Sequence, residues 1–122
     1  MFFLRATAFY DRNLKNLSIP RRIQVAILDT GVDMNNSIFS SPRRKTRIKA
    51  VRVFVKDSLG HDGRITFNDA SGHGTNVAGL VLRLAPETDL YIAKISKGSE
   101  LDSKDSIAEV FIWPAYKRAF IC

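Results

Sequence analysis

Ile23-Gln24-Val25-Ala26-Ile27-Leu28-Asp29 is the most informative stretch of this 122-residue chain. Five of its first six residues are apolar, and it ends on a carboxylate. Pro20 stands before it, and Asp29-Thr30-Gly31-Val32-Asp33 turns after it. A short, nearly continuous apolar run bounded in this way fits a strand buried on both faces, as in a parallel sheet. Residues 48–55 and 89–95 read as a second and a third strand. Between them Val77, Leu80, Val81 and Leu84 recur at i, i+3, i+4 and i+7. That spacing predicts a helix opening near His73 with these four as its apolar stripe, ended by Ala85-Pro86. A second helix is predicted after residue 102, where Ser106 and Glu109 have capping-box spacing and Ile107, Val110 and Phe111 make a stripe. Segments 35–47 and 57–72 read as loops. The order strand, strand, helix, strand, helix predicts an α/β fold on a mainly parallel sheet.

Composition narrows the classes. Hydrophobic residues make up 45% and charged residues 25%, values of an ordinary globular domain that argue against disorder, collagen and coiled coil. No apolar run reaches the roughly 18–20 residues a membrane-spanning helix needs. The one cysteine, Cys122, excludes an intrachain disulfide and gives a Cys-based zinc site no ligand set. At the N-terminus, Arg5 interrupts Phe2-Phe3-Leu4, whereas a secretory core needs about 7–15 apolar residues. The expected location is therefore intracellular.

Two residues carry the candidate chemistry. Asp29 ends the first strand, and the carboxyl edge of an open α/β sheet is where ligands and catalysis collect. The competing reading is an Asp that merely caps a turn. His73 opens the helix within Ser71-Gly72-His73-Gly74-Thr75. Flanking glycines let the backbone pass close to a neighbouring strand, and the positive helix end favours a neutral ring that can accept a proton. A lone histidine there would more simply be one satisfied by a carbonyl.

Taken together, these segments resemble the Asp and His motifs of the subtilisin-like serine peptidases, the subtilases. Residues 25–33, Val-Ala-Ile-Leu-Asp-Thr-Gly-Val-Asp, resemble the catalytic Asp segment, and residues 72–79, Gly-His-Gly-Thr-Asn-Val-Ala-Gly, the catalytic His segment. Ala85-Pro86 and residues 90–95 resemble the next strand, which borders the substrate cleft. The resemblance covers residues 22–110. It implies a partial subtilisin-like three-layer fold, peptide-bond hydrolysis on polypeptide substrates, Asp29 as the residue that orients and supports His73, and His73 as general base.

The departure is as informative. The family's nucleophile lies in a Gly-Thr-Ser-x-Ala segment, and this sequence contains none. Ser96, Ser99, Ser103 and Ser106 lack the flanking Gly-Thr, and no residue takes the place of the oxyanion Asn. From Phe111 the pattern leaves the family's helix, and Pro114 in mid-helix would cost about 3 kcal/mol. The expected organisation is an N-terminal extension (1–21), the N-terminal part of a peptidase domain (22–110) and a divergent tail (111–122). Such a fragment is expected to be inactive alone and marginally stable, with a complementary C-terminal half as a partner. The alternative is a non-catalytic interaction fragment that folds beside another chain.

Other signals carry less. Lys and Arg total 19 against 12 Asp and Glu, a net charge of +7, and residues 43–49 hold Arg43, Arg44, Lys45, Arg47 and Lys49. No aromatic platform accompanies them, so a solvated loop leading into a strand is the expectation, with no nucleic-acid or membrane partner. His61-Asp62 is weak as a metal pair. Asp57, Asp62 and Asp69 could hold calcium, but no oxygen-rich spacing repeats, so no cofactor is expected. Gly31 stands where a haloacid-dehalogenase-like phosphatase would need a second Asp.

Overall fold

A computed structural model describes residues 22–55 and 68–98, together with positions 5, 8, 12, 108, 110, 120 and 121. Strand β1 spans Gln24–Asp29, β2 Ile48–Val53, β3 Asp89–Lys94 and β4 Phe120–Ile121. The short helix α1 spans Pro42–Lys45, and α2 spans His73–Leu84. The sheet runs β2-β3-β1-β4, and every pairing in it is parallel. This is the expected α/β architecture. β1 lies inside the sheet, between β3 and β4, and Ala26 and Ile27 are fully buried. The strand order turns at β1, so Asp29 lies at the carboxyl edge beside the switch point, where α/β sheets place their sites.

Alternation along the strands divides the core. Ile27, Leu90 and Ile92 face α2 and pack with Val32, Phe39, Ala78 and Leu82. Ala26, Ala93 and Ile95 face the other way and pack with Phe54 and Val110. Position 110 is helical, so helical backbone meets the second face. Positions 108 and 110 are helical, as the second predicted helix requires; the rest of that helix lies outside the described residues.

Three local features differ from the sequence reading. Segment 35–47 is not plain loop. Asn36 caps a 3₁₀ turn at Ser37–Phe39 through its side chain, and Pro42 starts α1 at a position where no N–H is needed. The apolar stripe of α2 is rotated from the predicted one. Its buried residues are Gly74, Thr75, Ala78, Gly79 and Leu82, while Leu80 is 42% and Leu84 36% exposed. The helix is apolar nearly all round from Val77 to Leu84, so periodicity could not choose its face; close approach to β1 through small residues did. Finally, Phe120 and Ile121 pair with Val25 and Ala26 as β4, a strand too short to leave a pattern.

Candidate active site

Asp29 and His73 meet at the carboxyl edge of the sheet. His73 Nδ1 lies 2.8 Å from both Asp29 Oδ1 and Oδ2. A carboxylate at that distance fixes the tautomer: Nδ1 carries the proton and donates it, leaving the Nε2 lone pair free to accept another. The Asp29 side chain is 14% exposed and the imidazole 68% exposed, so the ring is open to a reactant while the carboxylate behind it is sheltered.

Backbone geometry explains why these residues meet. The ladder continues past the strand ends: Ile95 N–H donates to Asp29 O and Phe54 N–H to Lys94 O, each at 2.9 Å. The end of β1 is therefore held. The two glycines around His73 serve different purposes. A Cβ on Gly74 would sit 2.2 Å from the Gly31 carbonyl oxygen, so only glycine lets the helix approach the turn after β1. Gly72 has open space around its Cα but a φ of +80°, which favours glycine.

Charge in the site also departs from the sequence reading. The helix end alone would keep His73 neutral. Its hydrogen bond to Asp29, and then the Asp29 charge, instead hold the His73 pKa above the ordinary imidazole value. A carboxylate in direct contact outweighs the partial charge of a helix terminus.

Around this pair lies a buried network that sequence reasoning does not assign to the site. Asp69, 7% exposed, accepts from Thr30 Oγ1 at 2.7 Å and from Gly72 N–H at 2.9 Å through Oδ1. Through Oδ2 it accepts from Thr75 N–H at 2.8 Å and Thr75 Oγ1 at 2.7 Å. Burial alone would push the Asp69 pKa up. The bonds from Thr30, Thr75 and Gly72 overcome it and hold the carboxyl below its ordinary value. Lys94 Nζ, at the end of β3, donates to Asn68 O and ties down the residue before Asp69. The signal in the sequence is the Asp-x-x-Gly spacing of residues 69–72, in which a carboxylate bonds an N–H three residues on.

The remaining candidates separate. Asp69, a calcium candidate from sequence, has both its oxygens facing N–H and O–H donors. Asp57, His61 and Asp62 lie outside the described residues, as do Ser99, Ser103 and Ser106. Ser96 is buried, and its hydroxyl donates to Gly98 O and accepts from Gly98 N–H. Among the described residues no group of three or more His, Cys, Asp and Glu could hold a metal ion, and no helix is long and apolar enough to cross a membrane. The basic run is partly used internally: Arg43 pairs with Glu87, and Arg47 and Lys49 lie near Asp89.

Comparison with known proteins places this geometry. The subtilase family model matches residues 21–121. A subtilisin-like protease, het-Q2 of Podospora anserina, is 31% identical over 81% of this chain and 36% of its own length. An intracellular serine protease of Paenibacillus polymyxa is 42% identical over 62% of this chain and 24% of its own. Subtilisin Savinase of Lederbergia lenta is 29% identical over 90% of this chain and 38% of its own. The chain thus spans about a quarter to two fifths of these relatives' length.

Proposed function

The chain belongs to the subtilase family, and from that footing we propose that it is the Asp- and His-bearing part of a subtilisin-like serine endopeptidase domain. The observation that carries this reading is the bond between His73 Nδ1 and the Asp29 carboxylate, made across two elements at the carboxyl edge of the sheet. In the proposed mechanism Asp29 holds the Nδ1–H tautomer and stabilises the imidazolium as it forms. His73 Nε2 takes the proton of a serine hydroxyl as that oxygen attacks a peptide carbonyl, and then returns it to the leaving amine. The substrate is a polypeptide, and the location is inside the cell, as the name of the Paenibacillus relative states for that protein.

The serine must come from a Gly-Thr-Ser-x-Ala segment, and the oxyanion Asn from a separate place downstream of the His helix, because this sequence holds neither. A complementary C-terminal half is the partner this reading calls for, and without it the Asp–His pair has no nucleophile to activate. The outward side of α2 supports such a partner: Leu80 and Leu84 are exposed on a helix that is apolar nearly all round, a pattern of helices buried within larger domains.

A fluorophosphonate probe, which labels an activated serine, tests the reading. The chain alone should stay unlabelled, and addition of a subtilase C-terminal half should yield labelling that Asp29→Ala and His73→Ala abolish. Labelling of this chain by itself would overturn the claim that it lacks a nucleophile. A stable complex that never labels would favour a non-catalytic interaction module.

A further inference from the structure

Asp29 and His73 lie 44 residues apart on two elements, and something must hold those elements at bonding distance. Their own bond is a poor candidate: the ring is 68% exposed, and ion pairs open to water contribute little. The buried network beside them is better built for the task. Asp69 accepts four hydrogen bonds of 2.7–2.9 Å from Thr30, Gly72 and Thr75. Two further bonds extend it. Thr30 Oγ1 accepts from Gly74 N–H at 3.1 Å, and Thr75 Oγ1 accepts from Asp33 N–H at 2.9 Å. The network therefore reaches the residue after Asp29, both neighbours of His73 and the first turn of α2. Thr30, Asp69 and Thr75 are each at most 7% exposed, so water does not compete strongly for these bonds.

We propose that Asp69 is a positioning residue for the Asp29–His73 pair, its carboxylate clamping the end of β1 at Thr30 to the first turn of α2 at Gly72 and Thr75. Asp69 touches neither ring nor reacting atom and acts through the residue after Asp29 and the backbone on either side of His73. The role deepens the peptidase reading, since it presumes that the Asp29–His73 pair is the working part of the site.

Histidine-labelled NMR on the full chain tests this without turnover. The sequence has two histidines, and His61→Gln assigns the other signal to His73. The unaltered chain should show a far-downfield Nδ1 proton and a His73 titration above the ordinary imidazole value. Asp69→Asn should broaden or abolish that proton and move the titration down. Because that variant also removes a charge near His73, Thr30→Val is the decisive arm: it leaves Asp69 ionised, cuts the clamp at the strand, and should weaken the Nδ1 proton signal in the same sense. Thr30→Ser, which keeps the hydroxyl, should restore the unaltered spectrum. If Asp69 only caps the helix, Thr30→Val will lower stability yet leave the Nδ1 proton and the titration of the folded molecules unchanged, which overturns the proposal. Should Asp69→Asn fail to fold, the two Thr30 variants still separate clamp from cap. Absence of the downfield proton in the unaltered chain would instead strike the Asp29–His73 pairing, and with it the peptidase reading.

Discussion

The two ends of the sheet each carry a sheltered carboxylate, and they treat it in opposite ways. At the carboxyl edge, Asp69 is met by two hydroxyls and two backbone N–H groups at 2.7–2.9 Å. At the amino edge, Asp89 Oδ1 lies near three cations, Arg47 at 3.3 Å and Arg22 and Lys49 at 3.9 Å each. None makes a hydrogen bond to it: Asp89 Oδ1 and the Nε and Nη1 of Arg47 are buried without a hydrogen-bond partner among the described residues. More formal charge surrounds Asp89, yet Asp69 is the better satisfied. In a low-dielectric interior, alignment of donors decides what a buried carboxylate contributes. The carboxyl edge is built for definite geometry, whereas the amino edge neutralises charge loosely.

If close fit is what distinguishes the site end, filling the tightest point there should do most damage. Gly74→Ala drives a methyl against the Gly31 carbonyl oxygen, a backbone atom that cannot swing aside. The expected cost is about 3 kcal/mol or more, a large share of the total of about 5–15 kcal/mol that holds a small domain folded. Gly72→Ala has free space and meets only its φ of +80°, a strain of about 1–2 kcal/mol. Urea unfolding of the two variants should rank them in that order. Equal effects would mean that the helix does not approach the turn this closely.

Next in size is the contrast across α2. Leu82 is 1% exposed and Leu80 42%. Leu82→Ala should cost about 2–5 kcal/mol, and Leu80→Ala about 0.5 kcal/mol or less. The same pair shows where the sequence stops being legible. Asp29 and His73 can be found because each sits at an element boundary marked by its neighbours, an apolar run on one side and glycines on the other. The buried face of α2 cannot, because apolarity is nearly uniform around the helix and side-chain size sets the contact. Asp69 is harder still. Its partners are Thr30 and Thr75, and that triangle exists only once Thr30 and Asp69, 39 positions apart, have been brought together. The 3₁₀ turn and α1 read as loop because segments of three and four residues are too short to carry a periodicity.

A smaller effect, but one that separates the two carboxylates of the site, is the dependence of stability on pH. The raised pKa of His73 means that its pairing with Asp29 stabilises the fold fully below the ordinary imidazole value. That contribution is lost as pH rises through the raised midpoint. The lowered pKa of Asp69 means that its network contributes above the ordinary carboxylate value and is lost as pH falls through the lowered midpoint. Asp29→Asn should flatten the alkaline limb of the unfolding profile and Asp69→Asn the acid limb. One variant that flattened both would show that the two groups titrate as a unit.

The smallest expected change is at the amino edge, and its smallness is the point. Arg47 is buried but poorly bonded, so removing it alone should hurt by leaving Asp89 with less compensation in a sheltered place. Replacing both partners, as Arg47→Met with Asp89→Leu, removes the charges and their lost hydration together. Such double replacements of buried ion pairs are often neutral or stabilising, so the unfolding midpoint should stay the same or rise. Arg22 and Lys49 have side chains 43% and 37% exposed and can turn to water once Asp89 is gone. The matching replacement at the other edge, Asp69→Leu with Thr75→Val, should be severely destabilising, because it strands the Thr30 hydroxyl and the Gly72 and Thr75 N–H groups without an acceptor. If the two double variants lost equal stability, donor alignment would not be what separates the ends of this sheet.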